Sequence, residues 1–413
     1  MKARVSSLIK DDVWSRVIAL SLILFFADLA DAITSYWAPN FLQGVFDDAF
    51  KMGLVISFSS VIGIIADITF PQIIKNMGVK RIFLFGIFSA VIFISLLLSS
   101  TFRPYMVIFL ISMAVWGVYY ELYGFGRQQF VAQKTPRKLH SSVWGIMSGI
   151  RGLAYFIGPV FAAMLFARGL RIPIVYALGL AMVAFVGMLF AKSKDKNTAD
   201  DINLHEMNVM EEIRHWRVLF KHVWPIVILS LLLGLIDATF WTTGAVWSQS
   251  LASNNILGGM FLSIYMLPTI FVSFLFARWQ IEYGKKKLAM KLTALAGIFL
   301  IPLGFYYQSY VQLSLVLVSA VFLALALPLT NAVYSDIVER MGRERKHLIG
   351  LSLSTWSIAY IVGPILAGYI ARLLGEAQTF TVLGIFTVIV SLFLLIASPK
   401  QLRLPQKEIK TWE

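Results

Sequence analysis

The sequence predicts an all-α polytopic membrane protein with twelve transmembrane helices in two pseudo-symmetric six-helix bundles. Of its 413 residues, 58% are hydrophobic and only 14% are charged, whereas soluble proteins average about 45–50% apolar and about 25% charged residues. Apolar runs of membrane-spanning length recur along the whole chain, and the second half repeats features of the first. The absence of cysteine excludes disulfides and thiol catalysis.

Each apolar run has about 20 residues, enough for a helix to cross a hydrocarbon core of about 30 Å. The runs lie near 17–38, 52–71, 82–100, 105–126, 142–166, 173–191, 222–247, 257–277, 288–307, 312–333, 348–371 and 379–397.

Basic residues are distributed unequally between the two sides of the membrane that these spans define. The side with both termini collects most of them, whereas the other side holds only Lys51, Arg103, Arg168, Arg171 and Arg372. By the positive-inside rule, both termini are expected in the cytoplasm, in a plasma or inner membrane. The net charge of +14 is therefore an orientation signal, and no nucleic-acid partner is expected.

The longest polar segment separates the first six spans from the last six. We expect an N-terminal bundle of residues 1–192, a cytoplasmic linker of residues 193–217 and a C-terminal bundle of residues 218–413. Apolar residues recur at roughly helical spacing in the linker, which predicts that part of it is an amphipathic helix at the membrane surface.

The two halves contain similar segments at similar spacing. LSLILFFADLADAITSYWA from Leu20 aligns without a gap with LSLLLGLIDATFWTTGAVW from Leu229, which pairs Asp28 with Asp237. AYFIGPV from Ala154 likewise matches AYIVGPI in the eleventh span. An even number of spans per half makes the repeats parallel, an arrangement found in transporters whose substrate site lies between the halves.

The chain resembles the major facilitator superfamily. The resemblance rests on the six-plus-six repeat and on short basic loops after spans 2 and 8, in which Gly78, Lys80, Arg81 and the GKK run from Gly284 match the end of the family's loop motif. It implies a membrane transporter in which spans 1 and 7 line a central cavity.

Two acidic residues interrupt the first span and one interrupts the seventh. Asp28, Asp31 and Ser35 share one helical face, as do Asp237 and Trp241. An ionised carboxylate at the bilayer centre costs roughly 2.5–3.5 kcal/mol, which favours a cavity position. Because burial and repulsion oppose two charges, the first pair is expected to gain and lose protons as a coupled unit. The alternative is a permanent hydrogen bond to a neighbouring helix.

Arg151 is the one basic residue that the sequence places deep in a span. It needs an anionic ligand or a carboxylate partner, either Glu121 or an aspartate of span 1. Glu121 is a further proton-site candidate. The remaining candidates are cavity aromatics: Tyr120, Tyr155, Trp241, Trp356 and Tyr360.

A second set of residues is predicted to act in gating. Asp67, Arg127 and Asp336 lie at predicted helix ends, where salt bridges would close the cytoplasmic side. The loop residues Gly78, Lys80 and Arg81 belong to this set. So do Gly158-Pro159 and Gly363-Pro364, and the former resembles the antiporter motif of drug exporters in the superfamily.

Together these features predict a secondary active transporter with alternating access. Proton-coupled export of amphiphilic or cationic small molecules ranks first, and proton- or sodium-coupled uptake of a sugar or organic anion is the alternative. A lipid flippase or a non-transporting sensor is the alternative from another class. No Walker motif, nucleophile–base pair or histidine cluster occurs, so we expect neither enzyme activity nor a cofactor nor a metal. The expected partners are a small-molecule substrate, a proton and the lipid bilayer, with the chain as a monomer.

Overall fold

Long helices account for almost all of the described chain in the computed structural model. The structure describes residues 2–73, 77–136, 139–191, 209–254, 259–278, 284–306, 308–341, 345–399, 401–402 and 404, and it has no strand among them. The helices are α1 (Lys2–Phe46), α2 (Ala49–Ile73), α3 (Val79–Ser100), α4 (Met106–Lys134), α5 (His140–Phe166), α6 (Ile172–Phe190), α7 (Val209–Trp241), α8 (Thr243–Asn254), α9 (Phe261–Arg278), α10 (Lys285–Leu300), α11 (Ser309–Met341), α12 (Arg345–Leu374) and α13 (Glu376–Ala397).

These helices make up the predicted spans. Eleven described stretches are long and apolar enough to cross a membrane, and one of them, Ile213–Ala252, contains both α7 and α8. The remaining span is α9, whose described apolar part is Phe261–Val272. Large apolar side chains such as Phe88 and Ile389 are exposed on the outside of the helices, as contact with lipid requires.

Several helices extend beyond the predicted boundaries. Apolar composition marks only the part of a helix that lies in hydrocarbon, whereas the backbone hydrogen bonds continue past it. α1 is 45 residues long, and α4 continues eight residues past the predicted end at position 126. α7 begins at Val209, so the described part of the predicted linker is a continuation of a transmembrane helix. Residues 193–208 of that linker lie outside the described residues.

The spans, with α7 and α8 counted as one, alternate in direction and define two faces of the protein. We call the face where α1 begins and α13 ends the terminal face, and the other the opposite face. α1 packs on α5 and α6, α3 packs on α4, α7 packs on α12, and α10 packs on α11 and α13. The N-terminal half (α1–α6) contacts the C-terminal half (α7–α13) through α2 with α12, α5 with α9, and α1 with α8.

Close packing between the halves depends on small residues. A side chain at Gly53 of α2 would collide with the carbonyl oxygen of Pro364 in α12, and one at Gly368 would collide with that of Ala49. Glycine therefore lets α2 and α12 approach closely near the opposite face.

Candidate functional site: a cavity between the halves

A cavity of about 680 Å³ lies between the two halves. Eight helices line it, four from each half. The predicted site residues on its wall are Tyr120, Glu121, Arg127, Arg151, Tyr155, Asp237, Trp241, Trp356 and Tyr360. Asp28 and Asp31 are 3% and 2% exposed and lie behind this wall. A substrate in the cavity would therefore contact the side chains that interact with these aspartates, and not the aspartates themselves.

Asp31 lies in a cage of aromatic hydrogen-bond donors. The indole Nε1 of Trp116 donates to its Oδ1 at 2.8 Å, and the hydroxyl of Tyr120 donates to its Oδ2 at 2.9 Å. The hydroxyl of Tyr155 also donates to Oδ2. Three neutral donors satisfy this carboxylate without an opposite charge in hydrogen-bonding contact.

Asp237 has a similar cage in the other half. The hydroxyl of Tyr265 donates to its Oδ1 at 2.6 Å, and the hydroxyl of Tyr360 donates to its Oδ2. Tyr155 and Tyr360 are the equivalent residues of α5 and α12, 205 positions apart, and each bonds an aspartate.

These bonds correct the predicted correspondence between the halves. The ungapped alignment pairs Asp28 with Asp237, but the equivalent tyrosines show that Asp31 is the counterpart of Asp237, 206 positions away. Helix packing gives the same register. A Cβ on Gly158 would lie 2.5 Å from that of Ala32, and one on Gly363 would lie 2.7 Å from that of Ala238. The two Gly-Pro pairs thus hold α5 and α12 against α1 and α7.

Asp28 is therefore the acid that occurs in only one half. Arg151 Nε lies 3.7 Å from its Oδ1, and this buried oxygen has no hydrogen-bond partner among the described residues. The corrected register places Gly234 opposite Asp28 and Trp356 opposite Arg151. The Trp356 ring lies 3.4 Å from where a Gly234 Cβ would be. An ion pair in the N-terminal half is thus replaced by a glycine–tryptophan contact in the C-terminal half.

The Arg151 side chain faces the cavity and is 41% exposed. Among the described residues its hydrogen-bond partner is the Tyr155 hydroxyl at 3.4 Å, and its guanidinium carbon lies 5.0 Å from the centroid of that ring. The Tyr155 ring in turn meets Trp241 of the other half edge-on at 5.2 Å. Arg151 therefore has guanidinium N–H groups available for a ligand, close to a contact between the two halves.

Glu121 also lines the cavity. Of the two kinds of partner that the sequence offered for Arg151, the structure has the aspartate of α1, Asp28, and not Glu121. Its carboxyl interacts directly with that of Asp67 of α2, and Asp67 also interacts with Ser357 of α12. Asp67 thus connects Glu121 in its own half with Ser357 in the other half, and neither acid forms a salt bridge among the described residues.

The other predicted gating residues, Asp336 and the residues around the start of α3, contact residues of their own half or are exposed. Asp336 forms a salt bridge with Lys285 at 2.7 Å, but both belong to the C-terminal half, so it does not join the halves. Lys80 Nζ donates to the carbonyls of Leu189 and Ala191 at the end of α6. Gly78 precedes α3, and Arg81 is exposed.

Arg127 is 5% exposed and lines the cavity. The sequence placed it at a helix end, and the longer α4 buries it instead. No ion pair for Arg127 occurs among the described residues at salt-bridge distance, and its guanidinium lies over aromatic rings of Tyr123 and Trp144.

Contacts between the halves near the opposite face were missed by sequence reasoning. The Tyr36 hydroxyl donates to Gln249 at 2.8 Å, Asn40 donates to the carbonyl of Ala245 at 3.0 Å, and Arg372 lies 3.4 Å from Asp48. Such polar residues near span ends carry no pattern that identifies a partner 200 or more positions away. Within the described residues, no group of three or more potential metal ligands occurs.

Comparisons with known proteins agree with this architecture. A family model described as Major Facilitator Superfamily matches residues 20–257 and 228–412. A search of curated protein sequences finds no significant match.

Solved transporter structures have a similar fold. The human organic anion transporter MFSD10 (TETRAN) is 16% identical with a TM-score of 0.64, covering 92% of this chain and 98% of that one. The nucleoside transporter NupG is 12% identical with a TM-score of 0.70, covering 92% and 98%. A structure described as giving insights into substrate recognition in proton dependent oligopeptide transporters is 12% identical with a TM-score of 0.72, covering 96% and 100%.

At these identities the structural likeness shows the fold alone, whereas the family model spans most of the chain. The family and its neighbours are transporters and not enzymes. The chain is therefore an integral membrane transporter that belongs to the major facilitator superfamily.

Proposed function

We propose that this transporter carries an amphiphilic organic anion together with a proton. The observation that supports it most is the position of Arg151. Its partly exposed side chain lines the cavity, while its acidic neighbour Asp28 is buried behind it. A guanidinium binds a carboxylate or sulfonate through paired hydrogen bonds, and the surrounding tryptophan and tyrosine rings suit an apolar or aromatic body.

The ion pair also suggests how a proton is coupled to this substrate. With Asp28 ionised, the pair is neutral and Arg151 attracts an anion weakly. A proton on Asp28 leaves Arg151 with an uncompensated positive charge at the cavity wall, which attracts an anion more strongly. Because linkage is reciprocal, the bound anion favours the proton to the same extent. Proton and anion are then carried in the same direction.

Rocking of residues 1–192 against residues 218–413 would expose the cavity to each side in turn. The contacts among Tyr36, Gln249, Asp48 and Arg372 join the halves near the opposite face and would have to separate. The positive-inside rule supports a cytoplasmic terminal face in a plasma or inner membrane. We propose that one chain suffices, since the cavity is formed within a single chain.

The relatives are compatible with this substrate class. MFSD10 is described as an organic anion transporter, and another neighbour as a proton dependent oligopeptide transporter. At 16% and 12% identity, they support the proposal only by showing that the fold serves such substrates.

A second candidate is the function that the sequence ranks first, export of an amphiphilic cation in exchange for protons. Asp237 favours it, because this carboxylate lines the cavity beside Trp241 and Tyr360. A carboxylate that binds either a proton or an organic cation, but not both, would drive exchange. The charge of the substrate therefore predicts the direction in which the proton moves.

Two permanently charged probes with the same ring distinguish the candidates. Purified protein in proteoliposomes would be given naphthalene-2-sulfonate or naphthylmethyl-trimethylammonium, neither of which can carry a proton by itself. We expect the sulfonate to accumulate when the outside is acidic. Accumulation of the ammonium probe alone, when the lumen is acidic, would support the second candidate.

Arg151→Gln tests the residue on which the proposal depends. We expect it to lower sulfonate accumulation to the level of protein-free liposomes. Lys287→Gln is the matched control, since it removes an exposed positive charge that does not line the cavity. Undiminished accumulation in Arg151→Gln, or accumulation of neither probe by the wild type, would overturn the proposal.

A further inference from the structure

Arg127 is a buried cation with a guanidinium nitrogen, Nε, that has no hydrogen-bond partner among the described residues. The residue is 5% exposed and lines the cavity. Its guanidinium carbon lies 5.6 Å from the centroid of the Trp144 ring and 5.9 Å from that of Tyr123. Aromatic faces attract a cation, but they do not replace strong acceptors for its five N–H donors.

The nearby carboxylates do not compensate this charge fully. Asp28 interacts electrostatically with Arg127 and also with Arg151, so one acid serves two guanidinium groups. Asp31 is held by three neutral donors, and Glu121 interacts with Asp67. A buried arginine without an adequate partner is costly, which favours an anion from outside the protein.

A continuous cavity surface connects Arg127 with Arg151. Trp144, Ser148 and Arg151 lie at positions i, i+4 and i+7 of α5, so they share one helical face, and all three line the cavity. Trp144 is about 10 Å nearer the terminal face than Arg151, at 1.5 Å per residue. Arg127 lies over Trp144 at that end.

We propose that Arg127 and Trp144 form a second anion-binding position, nearer the terminal face than Arg151. It takes a carboxylate or sulfonate whose apolar body lies against the Trp144 ring, and Ser148 provides a hydroxyl between the two arginines. Anion binding at this second position does not depend on the proposed function. The further role of the position, to hold the substrate before the substrate reaches Arg151, rests on the proposed function.

Collisional quenching of tryptophan fluorescence tests this position without transport. Iodide is an anionic quencher and acrylamide is a neutral one. The contribution of Trp144 is the difference between the wild type and Trp144→Phe, measured at constant ionic strength. We expect Arg127→Gln to lower iodide quenching of this contribution about threefold or more, since a unit charge close to an ion in a cavity outweighs thermal energy. Acrylamide quenching should stay the same.

Two control variants isolate the charge. Arg127→Lys keeps the positive charge and should retain most of the iodide quenching, whereas Lys287→Gln removes a charge outside the cavity and should behave as the wild type. Unchanged iodide quenching in Arg127→Gln would overturn the proposal. Equal changes with both quenchers would also overturn it, because they would indicate altered access in place of lost anion binding.

The same measurements separate this inference from the proposed function. Arg151→Gln should abolish sulfonate accumulation and leave iodide quenching of Trp144 close to the wild-type value. If Arg127→Gln lowers iodide quenching but the wild type accumulates no sulfonate, the anion position stands and the proposed function fails. If sulfonate accumulates and quenching is insensitive to Arg127, the proposed function stands and this inference fails.

Discussion

The two halves of the transporter each hold an equivalent aspartate through an equivalent tyrosine, and they differ in the residues one helical turn away. Asp31 and Asp237 each accept a hydrogen bond from an equivalent tyrosine, Tyr155 or Tyr360. One turn away, the N-terminal half has the ion pair Asp28–Arg151, whereas the C-terminal half has Gly234 against Trp356.

This difference helps to distinguish features that serve the packing of the fold from features that serve transport. A feature present in both halves, such as the tyrosine–aspartate bond, can be explained by helix packing alone. The ion pair occurs once, faces the cavity and has an exposed arginine, so packing alone does not account for it. This asymmetry is the reason for proposing that the pair Asp28–Arg151 couples proton and substrate.

The strongest test transfers the arrangement of the C-terminal half into the N-terminal half. Arg151→Trp alone removes from Asp28, whose side chain is 4% exposed, the stronger of its two interactions with a guanidinium. Removing one partner of a fully buried pair costs about 3–5 kcal/mol, which sets an upper bound here because Arg127 remains. Asp28→Gly alone should cost less, because Arg151 can be solvated in the cavity. The double variant should be more stable than Arg151→Trp, as measured by thermal unfolding in detergent.

The double variant should also lose proton-driven accumulation of the sulfonate probe while remaining folded. It keeps Asp31, Asp237 and their tyrosines, so the shared part of the two sites is intact. Wild-type accumulation by the folded double variant would show that the asymmetric pair does not couple transport to protons.

The tyrosine–aspartate bonds should differ in importance because the two cages differ in size. Tyr360→Phe leaves Asp237 with one described donor, Tyr265, whereas Tyr155→Phe leaves Asp31 with Trp116 and Tyr120. A hydrogen bond to a charged group contributes about 1.5–3 kcal/mol. We expect Tyr360→Phe to lose an amount in this range and Tyr155→Phe to lose less, as measured by thermal unfolding. A larger loss for Tyr155→Phe would show that the cages are not comparable.

The comparison between halves also shows why sequence reasoning found the acids but misjudged their register. The alignment was displaced by three residues, close to one helical turn, and residues three apart share a face of a helix. Asp28 therefore looked as suitable a partner for Asp237 as Asp31 does. Only the hydrogen bonds from Tyr155 of α5 and Tyr360 of α12 show which register is correct, and the pattern of apolar residues does not predict these bonds.

The twelve spans and the intramembrane charged residues at the cavity could be predicted because the bilayer imposes length and polarity on each segment. The depth of Arg127 could not, because α4 continues past the end of its apolar run to Lys134. Trp144 was missed although it lies inside the predicted span 142–166. Its position seven residues before Arg151 on the same helical face was a usable signal.

The smallest expected effect concerns the ion pair that joins the halves near the opposite face. Arg372 is 56% exposed and lies 3.4 Å from Asp48, and such pairs contribute about 0.2–1 kcal/mol. Arg372→Gln should hardly change stability, but it should shift the balance between the two access states by that same small free energy. Lys285→Gln is the matched control, because it breaks a pair within one half.

A single cysteine can report this shift, since the chain has none of its own. Ser35→Cys places a thiol on the cavity wall at a site that is 6% exposed in the present state. Labelling by a membrane-impermeant maleimide added at the opposite face should be about 1.4 to 5 times faster in Arg372→Gln, which corresponds to about 0.2–1 kcal/mol. Lys285→Gln should leave the rate unchanged. Equal rates in both variants would show that the contact between Asp48 and Arg372 does not hold the halves together. The hydrogen bonds of Tyr36 and Asn40 and the glycine-mediated packing of α2 on α12 would then keep this face closed.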